Sequence, residues 1–323
     1  MRRYLNLCLV VFSLCLSQVY AQRPHFDSLE SSENLIQRTV NCGMQDKQGF
    51  LWFGTRDGLM RFDGYEIKSY RHDPTKKGSI SSNLIFFLFQ DSKERIWIGT
   101  EEGGLNLYLP DSDSFKVYEH DPEQANSLSI DSIISIIEDK EGKLWLGTHS
   151  GGVNHFDPET GKSVRYLYKE NDRNSLSNNT VWHIFQDRDE MLWFSTYGGG
   201  LNRLNPKTGK ITRYLHDPKD PKSISSNTIG AVVEDKKGRL WVGSRSGLNL
   251  MDRQTGTFTH FKHDPKDPTT LSYDYAWEVF IDSQDELWIA TYGGGLNRYI
   301  EESQSWDIRR DKPVKKVIMN SED

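Results

Sequence analysis

Two positions in this sequence change identity from one repeat to the next while their surroundings hold steady. They carry residue types suited to gripping a polyhydroxylated ligand. The first follows a recurrent Thr or Ser and is occupied in turn by Arg56, Glu101, His149, Tyr197, Arg245 and Tyr292. The second lies five residues before a recurrent Asp and is occupied by Asn41, Phe86, Ile134, Trp182, Gly230 and Trp277. A position used only as framework would vary less. Trp182 and Trp277, with their neighbours His183 and Glu278, add aromatic faces and polar groups to the Arg, Glu and Tyr of the first set. Aromatic faces accept the apolar C–H faces of a sugar, and the flanking polar groups take its hydroxyls. The candidate ligand-binding set is therefore Arg56, Glu101, His149, Trp182, His183, Tyr197, Arg245, Trp277, Glu278 and Tyr292, with an oligosaccharide or other small ligand as the expected partner. The plainer alternative is that these aromatics pack against a neighbouring repeat.

Other chemistries fit less well. The His-Asp-Pro triplets at His72, His120, His216 and His263 suit turns, because Asp before Pro is ordinary turn chemistry and equivalent residues of successive repeats do not converge to ligand-bond distances. Gly198-Gly199-Gly200 and Gly293-Gly294-Gly295 lack the helix that a phosphate loop needs. Acidic pairs such as Glu101-Glu102 read as solvated surface. No catalytic, metal or cofactor site is expected, although a lyase or hydrolase assembled from residues of different repeats stays open.

The elements that must position these residues are written in the repeat. An [LI]-W-x-[GSA]-[TS] pentad places Trp52, Trp97, Trp145, Trp193, Trp241 and Trp288 at spacings of 45, 48, 48, 48 and 47. The fourth copy shows four strand-like runs: Asn179 to Asp187, Leu192 to Thr196, Gly199 to Leu204, and Ile211 to Tyr214. Asp-x-x-Gly, as at Asp46 to Gly49, Asp139 to Gly142 and Asp235 to Gly238, makes the first turn, with Gly replaced by Glu or Asp in the other copies. Gly pairs such as Gly103-Gly104 make the second turn, and segments such as Asn205-Pro206-Lys207-Thr208-Gly209 the third. A longer loop, His216 to Ser223 in this copy, leads to the next repeat.

Six such units predict an all-β fold, a β-propeller of six recognisable four-stranded blades near residues 39–70, 84–118, 132–167, 180–214, 228–261 and 275–310. The pentad Trp is expected to pack between blades. The termini add an incomplete seventh blade: His25 to Leu29 reads as a lone outer strand, Val314 to Met319 as an inner strand without the two that should follow. Either the ring closes imperfectly as a six-to-seven-blade propeller or the chain is a truncated piece of a longer protein, and unpaired sheet edges of that kind favour the second expectation.

The N-terminus reads as a signal peptide over residues 1–21: Arg2 and Arg3, an apolar run from Leu5 to Leu16, and Val19-Tyr20-Ala21 before the cut. The propeller then occupies residues 22–323 and is expected in the periplasm. Loss of the leader moves the formal charge from −6 to −8, which disfavours nucleic acid. It also leaves Cys42 as the one remaining cysteine, so no internal disulfide can form. No later run approaches the roughly 18 apolar residues of a membrane span.

Asp-x-x-Gly-x-Leu-Trp-x-Gly-Thr, Gly-Gly-Leu-Asn-Arg and the linker from Asp121 to Asp131, with Asn174 to Asn179 as its shorter form, resemble the two-component regulator propeller repeat over roughly residues 26–320. That resemblance implies the periplasmic sensor half of a hybrid histidine kinase of Bacteroidetes type, one that responds to glycans and continues into an immunoglobulin-like domain, a membrane helix and a phosphorelay. A further propeller or a dimer partner is implied with it. This chain has no room for the kinase modules, so no enzyme activity is expected of it. The alternatives are a propeller enzyme, since streptogramin lyases share the architecture, and a non-catalytic interaction scaffold.

Overall fold

The computed structural model describes residues 39–309. The leader, the segment His25 to Leu29 and the segment Val314 to Met319 lie outside the described residues. Within them the chain forms six four-stranded antiparallel sheets, each built from consecutive strands in the order 1-2-3-4. The inner strands are Val40–Gln45, Ile85–Gln90, Ile133–Glu138, Val181–Gln186, Ile229–Glu234 and Ala276–Ile281. We number the blades 1 to 6 in that order. No described residue is helical.

The Asp-x-x-Gly turns explain how each blade begins. Gly142 has φ +75°, and where the sequence replaces Gly, Glu94, Glu190 and Asp285 take the same left-handed conformation at φ 64–68°. A side chain at such φ is strained, so these copies must be held by their partners. The leading Asp does the holding. In blade 5, Asp235 Oδ1 accepts the backbone N–H groups of Lys237 and Arg239 at 3.0 and 2.9 Å, while Oδ2 accepts the indole N–H of Trp241 at 3.0 Å. The Asp–Trp bond recurs in all six blades at 2.7–3.2 Å. An Asp six residues before each Trp carries that signal in the sequence.

The Trp side chain then joins one blade to the next. Trp145 packs with Val181, Ile184 and Phe194 of blade 4; Trp193 packs with Ile229, Val232 and Val242 of blade 5. Among the described residues, five buried clusters link blades 1 to 6 in succession. Burying so large an aromatic on both flanks is worth a few kcal/mol per copy, and this sheet-on-sheet packing is what lets a four-stranded unit cover both faces.

Small residues two places after each Trp set the spacing between blades. A Cβ on Gly147 would stand 2.7 Å from the backbone oxygen of Val181 in the next inner strand. Backbone cannot move aside cheaply, so Gly147→Ala is expected to destabilise the chain by about 1–3 kcal/mol. Blade 4 already accommodates Ser195 at the equivalent place, so Ser195→Gly should stay within about 1 kcal/mol. Urea melts of the two variants check the contrast, and equal midpoints would refute it.

A second recurrent lock ties the long loops down. Asn202 is fully buried; its Oδ1 accepts the Ser177 N–H at 2.9 Å and its Nδ2 donates to Ser177 Oγ at 2.7 Å. Asn106, Asn154, Asn249 and Asn297 accept the N–H of Ser81, Ser129, Ser225 and Ser272 in the same way. Blade 1 has Met60 in that place.

Candidate functional site

The inner strands of all six blades carry the same irregularity. Pairing with the second strand slips by one residue between Val40 and Cys42, Ile85 and Phe87, Val181 and His183, and Ala276 and Glu278, leaving Asn41, Phe86, Trp182 and Trp277 unpaired. The same slip falls at Ile134 in blade 3 and between Ile229 and Val232 in blade 5, where Gly230 sits. These are β-bulges, which bend a strand and re-aim the extra side chain. The bulged position is the second of the two variable positions read from the sequence.

All six bulged residues line one central cavity of about 490 Å³, a volume within the range of small-ligand sites. Arg56, His183, Glu278 and Tyr292 line it with them, as do Val40, Phe87 and Ala231. Gly230 is the one bulge without a side chain, and the reason is spatial: a Cβ there would lie 2.1 Å from the backbone oxygen of Trp277. The wall is therefore uneven. Blades 1 to 3 present Val40, Phe86 and Ile134, whereas blades 4 and 6 present the two indoles.

The indoles meet edge to face, with ring centroids 5.8 Å apart and planes at 74°. His149 and Tyr197 extend the aromatic group on the Trp182 side at 5.9 and 6.4 Å, and Tyr275 extends it on the Trp277 side at 5.5 Å, itself 5.6 Å from Tyr292. The first variable position is held at this mouth by backbone bonds: His149, Tyr197, Arg245 and Tyr292 donate their N–H to Ser132, Thr180, Thr228 and Tyr275 at 2.9–3.3 Å. Glu101 is held likewise by Leu84 at 3.0 Å, and it and Arg245 stand outside the cavity lining. Tyr275 was not among the residues singled out by sequence. Its signal is an offset of two before the bulge, a place where the other blades carry Leu84, Ser132, Thr180 and Thr228.

Three polar groups in the wall have unusual states. Burial drives the His183 imidazole down to about 4, so it is neutral, and its Nδ1 accepts the Val232 N–H at 3.3 Å, which leaves the ring proton on Nε2. The Trp182 indole N–H is buried with no acceptor. Solvent still reaches Glu278, yet the surrounding walls strip enough water from it to push its carboxyl up to about 7. Among the described residues Glu278 has no ion-pair or hydrogen-bond partner.

Groups elsewhere have structural duties. His72, His120, His216 and His263 each bond through Nδ1 to a carbonyl eight residues on, at 2.6–2.8 Å, bracing the long loop. The Cys42 thiol is pushed up to about 12 by burial and is not a nucleophile.

The family model of the two component regulator propeller matches four segments of the chain, residues 79–102, 127–150, 175–198 and 223–246. Each begins in the long loop and ends one residue beyond the first variable position. The chain carries two component regulator propeller repeats. Histidine kinase P4 of Formosa agariphila is 42% identical over 74 residues, which is 22% of this chain and 5% of that protein. A crystal structure described as the extracellular domain of a hybrid two component system, BT3049 of B. thetaiotaomicron, shares 27% identity and a TM-score of 0.62, covering 80% of this chain and 39% of that one. The chain thus spans well under half the length of these relatives. Virginiamycin B lyase of Staphylococcus aureus shares the fold alone, at 15% identity and a TM-score of 0.59 over 84% of this chain and 83% of that one. Two component regulator propeller repeats and a likeness to the extracellular domain of a hybrid two component system are what the chain has.

Proposed function

We propose that this chain is the periplasmic ligand-sensing propeller of a two-component sensor and takes an oligosaccharide in its central channel. The observation that carries the reading is the wall of bulged residues: every blade brings its bulge to a single cavity, and two of the bulged residues form an aromatic corner. Indole faces at that corner suit the C–H faces of a pyranose, while His183 Nε2 and the unpartnered Trp182 N–H suit hydroxyl oxygens. The likeness to an extracellular domain of BT3049 and the leader-like first 21 residues support a periplasmic location.

Calorimetry of the purified chain against a glycan panel tests it. Saturable binding without turnover is expected. Trp182→Ala with Trp277→Ala should weaken it by about tenfold or more, as two aromatic contacts are removed. Cleavage products would overturn the sensing role, and unchanged affinity in the double variant would remove the site from the channel.

A further inference from the structure

The proposed oligosaccharide site has one group that a neutral sugar does not explain. Glu278 faces the cavity next to Trp277, with the Trp182 indole set nearly perpendicular across the corner. Nothing among the described residues neutralises it. Arg56 lines the same cavity, but the Glu278 carboxyl is shifted by lost hydration alone, with no contribution from a neighbouring cation. His183 is neutral, Tyr275 and Tyr292 are phenols, and Arg245 stands at the rim beside Tyr275. On the packed strand Ile229–Glu234 the one charged residue, Glu234, is paired with Arg253 at 2.9 Å. The adjacent strand Leu287–Thr291 has no charged residue. An unpaired carboxylate that shares a cavity with two indoles offers what holds an alkylammonium group, charge from the one and ring quadrupoles from the others.

Building on the oligosaccharide reading, we infer that the channel contains a cation subsite, formed by Glu278, Trp277 and Trp182, and that the ligand is an amino sugar whose ammonium group sits there. The ammonium supplies the charge that Glu278 lacks. Proton linkage follows with a definite sign. With the carboxyl at about 7 in the free protein, ligand binding requires it ionised, so affinity is full above that value and declines below it.

The test uses three methyl glycosides on one ring, the N-trimethylammonio sugar, whose charge does not titrate, the neutral N-acetyl sugar and plain glucoside, with choline as a cation that carries no sugar. At about pH 8 the cationic sugar should bind about tenfold tighter than the neutral pair, and its Kd should rise about tenfold by about pH 6 as Glu278 protonates. Glu278→Gln should erase both effects, leaving the cationic sugar with no advantage over the neutral pair and no change in Kd between the two pH values. Equal binding of all three at both pH values overturns the cation subsite and leaves the oligosaccharide reading standing. Binding of choline and the cationic sugar alone keeps the subsite and overturns the sugar reading. Tighter cation binding at the lower pH, or no binding by the cationic sugar, overturns the subsite.

Discussion

Asp235→Ala is expected to cost the chain about 3–5 kcal/mol, the range for breaking a buried, hydrogen-bonded charge pair. The carboxylate is almost fully buried and receives the Trp241 indole, two backbone N–H groups and the Arg239 guanidinium at 2.5 Å. Its removal orphans the indole N–H inside the cluster joining blades 5 and 6 and leaves Arg239 with Glu301 as its remaining partner. Urea denaturation with hydrogen exchange reads the result, since blades coupled only to their neighbours open locally before the whole chain does. Protection should fall first in blades 5 and 6. Asp189→Ala, a change at a side chain that is 77% exposed, should stay within about 0.5 kcal/mol. A wild-type midpoint for Asp235→Ala would refute the assignment.

The pH dependence of that difference has a fixed direction. Burial alone would raise the Asp235 pKa, but the bonds from Trp241 and Arg239 hold it below the ordinary carboxylate value. A depressed folded pKa gives stability that is complete above the unfolded value and is lost as pH falls through the folded one. The gap between wild type and Asp235→Ala should therefore be constant near neutrality and narrow in acid.

Asn202→Leu is the second large effect, expected at about 2–4 kcal/mol despite matching volume. The Ser177 N–H and hydroxyl lose their partners inside the blade 3–4 junction, and Leu176, which is fully buried beside them, loses its anchor. The loop from Tyr168 to Thr180 should become protease-sensitive while the strands of blade 4 persist. Met60→Leu, in the equivalent place of blade 1, should cost less than about 1.5 kcal/mol. If Asn202→Leu were equally mild, the loop would be held by something other than this amide.

The blades were legible because their punctuation repeats: Asp at the first turn and Trp six residues later recur in all six copies, and Asn after a Gly-Leu or Gly-Val pair in five. Their partners were not. The Asp–Trp bond and the Asn–Ser lock are contacts between residues that look independent in the sequence, and only the turn folds them together. The variable positions were visible because variation inside a constant repeat needs no structure to detect. Their convergence was hidden, since strict alternation along a strand assigns a residue to one face or the other and has no place for a bulge. The sequence puts Trp182 and Trp277 at the channel mouth as aromatics, and the inner-strand slip sets their direction. Glu101 shares the offset of Arg56 but stays outside the cavity, so an offset from the pentad does not by itself tell wall from rim. Tyr275 escaped notice because its counterparts in other blades are small or aliphatic.

The slip in each inner strand also separates two kinds of mutation. A bulged residue is excluded from the hydrogen-bond ladder, so its side chain can be exchanged without disturbing the pairing that holds the blade. Five of the six sites already hold four different residue types, Asn, Phe, Ile and Trp, and the sixth is closed to change by the neighbouring backbone. A protein built this way can acquire appetite for a new ligand by single steps, one blade at a time, with its scaffold left intact.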